Sequence, residues 1–345
     1  MLPLLLLAPA LALVSALAVR AMIARPILDH PNHRSAHLRP TPKGGGLGPV
    51  LAFALGMGAV YLATPFAPLA EGRYVGVVLA ALAMAGVALA DDLRDFRFGV
   101  KLAAQAGAAL VAIGAGLVLT RLALPGMGEV ELGALGVAAT LFWMVGCTNA
   151  VNFMDGLDGL VGGVVVVAAA ALALLGAVQG SPFVAAAALC LGAGFAGFLP
   201  FNIAPARIFM GDVGSQFAGF LLAVLGVAAA GFDAGQVSFL VVPLLLNGLL
   251  WDAAFTLARR ALAGERVSEA HRSHLYQMAQ RAGVPTRAVA AAHWGFAGFG
   301  AALAFAFLAL PAAQKPLVVL PALLVQLGWT AWVVRRMRRA GLGWR

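Results

Sequence analysis

The sequence predicts an all-α, polytopic integral membrane protein, and three observations support this class. Of the 345 residues, 62% are hydrophobic and only 11% are charged, whereas soluble domains carry about 25% charged residues. The apolar residues form runs of roughly 20, the length of a helix that crosses about 30 Å of hydrocarbon. Both cysteines lie inside such runs, which argues against a disulfide framework or a thiolate metal site. A soluble enzyme and a disordered chain are therefore excluded.

Eleven apolar segments are predicted to cross the membrane as helices. They comprise residues 2–19, 47–65, 74–90, 101–120, 134–151, 159–178, 182–200, 214–231, 236–256, 288–310 and 317–334. No soluble domain or long linker separates them, so residues 1–345 are predicted to form a single transmembrane domain. No basic region precedes the first segment, which favours a retained helix. Cleavage at its Ala-rich end is the minor alternative.

The distribution of Lys and Arg predicts the orientation of these helices. Of the 23 such residues, 20 lie on one side of the predicted membrane, and only Arg73, Arg121 and Lys315 lie on the other. Because Lys and Arg concentrate in cytoplasmic loops, we expect a periplasmic N-terminus and a cytoplasmic C-terminus. The net charge of +9 is then a property of the loops, and no nucleic-acid partner is expected.

The acidic residues indicate where chemistry takes place. Ten of the 14 Asp and Glu residues also lie on the cytoplasmic side, and none lies in the middle of a span, where a carboxylate would cost at least about 2.5 kcal/mol. A proton-coupled transporter would usually keep such a carboxylate. We therefore expect an active site built from five cytoplasmic loops. Their approximate bounds are 20–46, 91–100, 152–158, 201–213 and 257–287.

The first of these loops combines prolines, basic residues and three consecutive glycines. Arg34, Arg39 and Lys43 could contact phosphate groups. The glycines at 44–46 would let backbone N–H groups approach an anion closely. The residues alone leave open the alternative of a positively charged loop that only anchors the chain at the membrane.

Carboxylates lie where two apolar helices are predicted to meet the cytoplasm. Asp91 and Asp95 are four residues apart and would share a helical face, with Asp92 close by. Such carboxylates repel one another unless a cation relieves them, so a metal or acid–base site competes with a solvated helix end. Asp212 lies between two glycines before an apolar run and is predicted to be either a metal ligand or a helix N-cap.

A further loop carries regularly spaced polar residues. Asn149, Asn152, Asp155 and Asp158 recur at every third position, about 60° apart on a helix, and intervening glycines indicate that the helix opens there. Their oxygen and amide groups suit Mg²⁺ better than zinc or copper. Asx caps and turns would explain one or two of these four residues.

The longest cytoplasmic loop carries a pair of histidines. His271 and His274 are three residues apart and flank Arg272. Without a neighbouring Glu or Cys in a metal-binding pattern, a zinc site is disfavoured. A phosphate clamp is favoured instead, and ordinary surface histidines are the alternative.

These five segments, in this order, resemble the polyprenyl-phosphate N-acetylhexosamine-1-phosphate transferases of the WecA/MraY superfamily, glycosyltransferase family 4. The resemblance spans nearly the whole chain. The family pattern D-x-P-x-x-R-x-x-H-x-x-P-T-P is matched at 29–42, and D-D-x-x-D at 91–95. N-x-x-N-x-x-D-G-x-D-G-L is matched from Asn149, and M-G-D-x-G-S at 210–215.

The resemblance implies roles for individual residues. Asp212 and Asn152 would bind Mg²⁺, with Mn²⁺ as an alternative metal. Asp91 and Asp92 would orient or deprotonate the lipid phosphate. Asp155 and Asp158 would complete the catalytic set and, with Asn149, shape the nucleotide-sugar pocket. The residues implied in substrate or phosphate binding are Arg34, His37, Lys43, Asn149, His271, Arg272 and His274. Asp252 also resembles a family position.

The resemblance also implies a reaction and a location. A sugar 1-phosphate of N-acetylhexosamine type would pass from a UDP-sugar to undecaprenyl phosphate, with release of UMP, to initiate O-antigen or another cell-envelope polysaccharide. The active site would face the cytoplasm from the bacterial inner membrane. The segment from His271 to Gln277 resembles WbpL-type O-antigen initiators more than the three-histidine run of MraY. An MraY-like phospho-MurNAc-pentapeptide translocase is the alternative within the family, and a lipid-linked-sugar flippase is the alternative outside it.

Two mechanisms fit the implied reaction. A lipid phosphomonoester ionises near neutral pH, with a second pKa of about 6, so it needs no strong general base. Direct displacement with Asp91 positioning the nucleophile is therefore favoured. A two-step route through an aspartyl-phosphosugar remains open.

Overall fold

The computed structural model describes residues 2–29, 40–63, 69, 71–124, 128–233, 235–267 and 271–344. Within these ranges the chain is almost entirely helical. The helices are α1 Leu2–Ala24, α2 Leu47–Leu62, α3 Gly72–Arg94, α4 Phe98–Gly114, α5 Leu135–Phe153, α6 Leu160–Val178, α7 Pro182–Asn202, α8 Gly211–Val227, α9 Val241–Leu245, α10 Asn247–Leu262, α11 Leu275–Arg281, α12 Thr286–Ala309 and α13 Val319–Arg339. A π-helical turn, Ala228–Phe232, extends α8, and a 3-10 segment, Ala312–Val318, precedes α13.

Two antiparallel hairpins complete the described structure. Strand β1, Ile27–Asp29, pairs with β2, Thr41–Lys43, and strand β3, Arg121–Leu124, pairs with β4, Gly128–Glu131. The first hairpin joins α1 to α2 on the side of the molecule that carries the predicted active-site loops. The described sheet structure is otherwise negligible, so the all-α membrane class is confirmed.

Every one of the eleven predicted spans coincides with helix, although some boundaries differ. Seven helices in the described residues are long and apolar enough to cross a membrane, by length and composition. Helices α2 and α4 are apolar but shorter. The count of eleven crossings and the orientation of the chain therefore stay predictions.

Two of the predicted spans need correction. The segment 101–120 ends early, because Gly116 adopts a left-handed φ of 95° and Leu117 N–H returns to the Ala112 carbonyl, which closes α4 with a Schellman turn. The segment 236–256 is interrupted at Leu246, between α9 and α10. There the Asn247 side chain donates to a carbonyl on α12, Phe296 O, at 2.8 Å.

Helix α8 lies at the centre of the bundle. All its residues from Val213 to Val227 are buried, and it packs against α3, α5, α2 and α7. Gly219 lets α8 approach α5 closely, since a Cβ there would lie 2.9 Å from Thr148 Cα. This close packing brings the polar end of α5 beside the first turn of α8, where the candidate site forms.

A buried carboxylate stabilises the end of the bundle that is remote from the predicted active-site loops. Asp233 is 6% exposed. Its Oδ2 accepts hydrogen bonds from Ser181 Oγ at 2.8 Å and from the backbone N–H groups of Phe183 at 2.8 Å and Val184 at 3.2 Å. Because those N–H groups open α7, Asp233 caps that helix from a distance.

Candidate active site

A polar cavity of about 650 Å³ opens at the ends of α3, α5 and α8. Seven of the predicted site residues line it: Lys43, Asp91, Asp92, Asn152, Asp155, Asp158 and Asp212. Asp29, Asp95, Lys101, Gln277, Gln280 and Thr286 also line it. Residues far apart in the sequence therefore share one concave surface.

The centre of the cavity is an ion-pair cluster. Asp91 lies in the last turn of α3 and is 4% exposed, and its Oδ2 lies 2.6 Å from Lys101 Nζ on the first turn of α4. The same ammonium group lies 3.3 Å from Asp212 Oδ2 on the first turn of α8. Lys101 thus bridges two carboxylates. Lys101 was counted only among the basic residues of the cytoplasmic side. A cation near a helix N-terminus is disfavoured by the helix dipole, which indicates that an acidic partner stabilises it.

Asp92 caps α8 and holds Asp212 in place. Its two carboxylate oxygens accept the backbone N–H groups of Asp212 at 3.1 Å and Val213 at 2.9 Å. Gly211 has a left-handed φ of 73°, and a Cβ there would lie 2.7 Å from Asp92 Oδ2, so this contact requires glycine. The geometry gives Asp92 a positioning role. It does not test the predicted contact with a lipid phosphate.

The predicted helical pairing of Asp91 with Asp95 is wrong. Helix α3 ends at Arg94, and Asp95 adopts a left-handed φ of 51° as its C-cap. The Asp91 Oδ1 instead accepts the backbone N–H of Phe96 at 2.8 Å. Asp95 reaches the cavity wall from a turn rather than from the shared helical face.

A chain of side-chain amides extends from Asp212 into the bundle. Gln216 Nε2 donates to Asp212 Oδ2 at 3.0 Å, and Gln105 Nε2 donates to Gln216 Oε1 at 3.1 Å. Asn149 Nδ2 then donates to Gln105 Oε1 at 2.6 Å. Asn149 therefore supports the site from behind the described cavity wall. The two glutamines were missed, although isolated polar residues in apolar segments are themselves a signal.

Asn152 contacts Asp212 directly. Its Nδ2 donates to Asp212 Oδ1 at 3.0 Å and to Ser215 Oγ at 2.9 Å. Both amide protons of Asn152 are used in these bonds. Its carboxamide oxygen is the atom left to bind a metal ion or to accept a hydrogen bond from water. The predicted pairing of Asn152 with Asp212 in one site agrees with this placement.

The predicted opening of the helix within the polar stripe at 149–158 is confirmed. Helix α5 ends at Phe153, and Gly159, with a left-handed φ of 75°, precedes α6. Asp155 and Asp158 therefore lie in the intervening turns. The Asp158 Oδ2 accepts the Ala206 N–H at 2.9 Å, which ties this turn to the segment before α8.

Asp155 is the carboxyl group in this turn that faces other carboxylates. Burial raises the pKa of Asp155 to about 8, and the charges of Asp212 and Asp92 raise it in the same direction. A raised pKa favours the protonated form of Asp155, and a protonated carboxyl group can donate a hydrogen bond. Asp155 is thus suited to contact an anionic oxygen in the cavity.

The histidine loop, His271–Gln277, is organised by a buried carboxylate on α10. Asp252 is fully buried and accepts hydrogen bonds from His274 Nδ1 at 3.0 Å, Leu275 N at 2.9 Å and Tyr276 N at 2.9 Å. The His271 ring stacks on His274 with a centroid distance of 4.8 Å. Among the described residues that line the cavity, neither histidine nor Arg272 is present. The predicted phosphate clamp therefore lies beside the cavity, and its role stays a prediction.

Tyr276 connects the histidine loop to the Asp155 turn. Its hydroxyl donates to the Phe153 carbonyl at 3.2 Å, and the fully buried ring packs under Gly156. Gln277, the next residue, reaches the cavity wall. Tyr276 had no predicted role, because no pattern in the neighbouring sequence indicates a contact with a residue more than 100 positions earlier.

The first loop is only partly described. Arg34 and His37 lie outside the described residues, so their predicted contacts are untested. Lys43 lies on β2, and the adjoining backbone pairs with the segment before α8 through Phe209 N–H to Pro42 O at 2.8 Å and Gly45 N–H to Phe209 O at 2.9 Å. These bonds place Lys43 at the cavity.

The donor set fits a divalent cation that is held together with substrate phosphates. In the described part of the chain, no three Asp, Glu, His or Cys side chains converge enough to hold a metal by themselves. Asp212 and Asn152 offer oxygen ligands, and Asp91 and Asp212 already surround one cation, the Lys101 ammonium. Mg²⁺ commonly uses one or two carboxylates plus phosphate oxygens.

The histidine loop supplies a pH-dependent prediction. Burial, the neighbouring His274 and the charges of Arg260 and Arg259 together lower the pKa of His271 from 6.5 to about 4. The unfolded chain therefore binds more protons between these pH values, so stability is lost as pH falls from 6.5 towards 4 and is unaffected above 6.5. We expect the difference in Tm, wild type minus His271→Gln, to decrease as the pH is lowered from 6.5 to 4 in detergent. A difference that stays constant or grows would contradict the assignment.

Comparison with known proteins agrees with this site. The model of glycosyl transferase family 4 matches residues 74–230, which include the Asp91, Asn149 and Asp212 motifs. A decaprenyl-phosphate N-acetylglucosaminephosphotransferase of Mycobacterium tuberculosis is 32% identical over 309 residues, which cover 81% of this chain and 76% of that protein. The chain belongs to glycosyl transferase family 4. The resemblance inferred from the motifs is thereby confirmed.

Other relatives of this family 4 protein differ in coverage. A probable undecaprenyl-phosphate N-acetylglucosaminyl 1-phosphate transferase of Bacillus subtilis is 29% identical over 80% of this chain and 75% of its own length. A phospho-N-acetylmuramoyl-pentapeptide-transferase of Limosilactobacillus fermentum is 45% identical, but over 30% of this chain and 32% of its own length. The similarity to the pentapeptide transferases is thus local.

Proposed function

We propose that this family 4 protein transfers an N-acetylhexosamine 1-phosphate from a UDP-sugar to undecaprenyl phosphate at the cytoplasmic face of a bacterial inner membrane. UMP is released, and undecaprenyl-diphospho-sugar is formed. The observation that carries this proposal is the convergence of Asp91, Lys101, Asn152 and Asp212 in one cavity at the ends of apolar helices. The names of the two relatives matched over most of their length favour a polyprenyl-phosphate acceptor.

The arrangement suits the joining of two anions. A lipid phosphate oxygen forms a bond to the sugar-bearing β-phosphorus, and the bond from that phosphorus to the bridging oxygen of UMP breaks. Lys101 and Lys43 lie on the cavity wall, and because this wall carries more carboxylates than lysines, a bound divalent cation would supply further positive charge. Positive charge that is fixed before the reaction stabilises the charge that develops on the phosphoryl oxygens.

Asp212 and Asn152 would hold Mg²⁺, with Mn²⁺ as the alternative, close to the donor pyrophosphate. The bound metal would neutralise phosphate charge and act as a Lewis acid. Asp91 would orient the lipid phosphate through Lys101, which favours direct displacement. Asp155, in its protonated form, would donate a hydrogen bond to a phosphate oxygen. Asp92 would act by keeping the first turn of α8 in position.

A donor panel tests this function. Purified protein with undecaprenyl phosphate and Mg²⁺ would be offered UDP-GlcNAc, UDP-GalNAc, UDP-QuiNAc, UDP-FucNAc and UDP-MurNAc-pentapeptide, and UMP release and lipid-linked product would be measured. We expect turnover with at least one N-acetylhexosamine donor and its loss when the metal is chelated. Turnover confined to the pentapeptide donor would select the MraY-like alternative. Folded protein that turns over none of these donors would contradict the proposal.

A further inference from the structure

The segment after α13 folds back onto α10. Gly341 adopts a left-handed φ of 66°, Gly341 N–H bonds Arg338 O at 3.1 Å, and Leu342 N–H bonds Met337 O at 3.0 Å. This Schellman turn reverses the chain. The Trp344 ring consequently reaches α10, where its centroid lies 6.0 Å from that of Phe255.

Arg259 connects Trp344 to the histidine loop. Its guanidinium carbon lies 4.7 Å from the centroid of the Trp344 ring, a cation–π contact. From this position Nη2 donates to Ser273 Oγ at 2.9 Å, and Nη1 contacts Glu265 Oε1 at 3.4 Å. The Arg259 side chain is only 15% exposed. Its planar head is therefore held on one face by the ring and at its edges by two oxygens.

Ser273 links Arg259 to the first of the two histidines. Because arginine only donates, Ser273 Oγ accepts from Arg259, and its own proton is free to point at His271 Nδ1, 3.2 Å away. His271 stacks on His274, and His274 is bonded to Asp252. A continuous set of contacts thus runs from Trp344 to the loop whose end, Gln277, lines the cavity.

We propose that Trp344 is a positioning residue that acts through Arg259 and Ser273 to fix the histidine loop beside the cavity. The loop contributes to the cavity wall rather than to the ion-pair cluster, so the loss of Trp344 raises the KM for the donor more than it lowers kcat. This kinetic consequence rests on the transferase activity proposed above. The effect on the loop itself does not.

Three variants at one position separate the ring from its bulk. The full chain in detergent would be measured with the donor that wild type uses. For Trp344→Ala we expect roughly a tenfold rise in donor KM, the size of a partly desolvated cation–π contact, with kcat within about threefold of wild type. Trp344→Phe restores most of the loss because it keeps an aromatic face, whereas Trp344→Leu does not. Trp332→Ala, which removes a cation–π contact with Arg336 on α13, is the matched control and leaves KM unchanged.

Hydrogen exchange and a second variant test the role of Trp344 further. Hydrogen exchange of the amides at 271–277 should become faster in Trp344→Ala, whether or not a donor has been found. This measurement therefore tests the role of Trp344 even if the proposed transferase activity is wrong. If Trp344→Ala does not fold, Arg259→Lys tests the same link, because lysine keeps the charge but lacks the fork that reaches Ser273 from the ring. Unchanged KM and exchange, or rescue by Leu equal to rescue by Phe, would overturn the role of Trp344.

Discussion

Replacing Asp212 with Asn is expected to lower kcat by about 10³-fold or more while the protein stays folded. Both carboxylate oxygens face donors: Oδ1 accepts from Asn152 Nδ2 at 3.0 Å, and Oδ2 faces Lys101 Nζ at 3.3 Å and Gln216 Nε2 at 3.0 Å. An asparagine must turn its NH₂ group towards one of these sets. The substitution therefore removes a negative charge and also creates a clash between donors.

The comparison needs a control of equal charge change. Glu131→Gln alters an exposed carboxylate on β4 that pairs with Arg121 and is not among the residues that line the cavity, and we expect it to retain wild-type turnover. UMP release would be measured at saturating donor across a range of Mg²⁺ concentrations, together with the Tm of each variant. Turnover by Asp212→Asn above one-tenth of wild type would remove Asp212 from the central role. A collapse of Tm would show that its role is structural.

The membrane fold could be predicted because its signal is local. Each apolar run of about 20 residues contains its own evidence for a helix, and every predicted span does coincide with helix. The interruption at Leu246 was missed because residues 236–256 were treated as one apolar run, although Asn247 and Gly248 follow that position directly in the sequence. It accompanies a contact made across the bundle, from the Asn247 side chain to Phe296 O.

The candidate site divides in the same way. Asp91, Asn152 and Asp212 were predicted because each lies in a compact motif with the chemistry of a phosphate or metal site. Lys101 was not predicted, since its partners Asp91 and Asp212 come together around it only after folding. Lys101 and Asp212, for example, are separated by 111 positions. Gln216 was missed although it lies only four residues after Asp212. The motifs therefore identify residues that line the cavity, whereas contacts between distant segments, such as that of Lys101 with Asp212, are apparent only in three dimensions.

The Asp155 turn gives the second large effect, because Gly156 leaves room for a hydroxyl group. A Cβ at position 156 would overlap the Tyr276 hydroxyl and come within 3.1 Å of Tyr276 Cζ. The turn must then move away from the tyrosine, and displacement of a catalytic group by about 1 Å can cost 10²-fold in rate. We expect Gly156→Ala to lower kcat/KM by about 10²-fold, measured as UMP release with the accepted donor.

The double variant distinguishes this steric cause from other defects. Tyr276→Phe alone loses one hydrogen bond to Phe153 O, worth about 1 kcal/mol or roughly fivefold. In the Gly156→Ala background the same change removes the atom that clashes, so Gly156→Ala/Tyr276→Phe should be more active than Gly156→Ala. The sign of the Tyr276→Phe effect thus reverses between the two backgrounds, which independent sites cannot produce. Gly146→Ala on α5, where a Cβ meets no neighbouring atom within 4 Å, controls for the substitution itself. If the double variant is less active than Gly156→Ala, the contact between Tyr276 and the Asp155 turn does not set the geometry of the site.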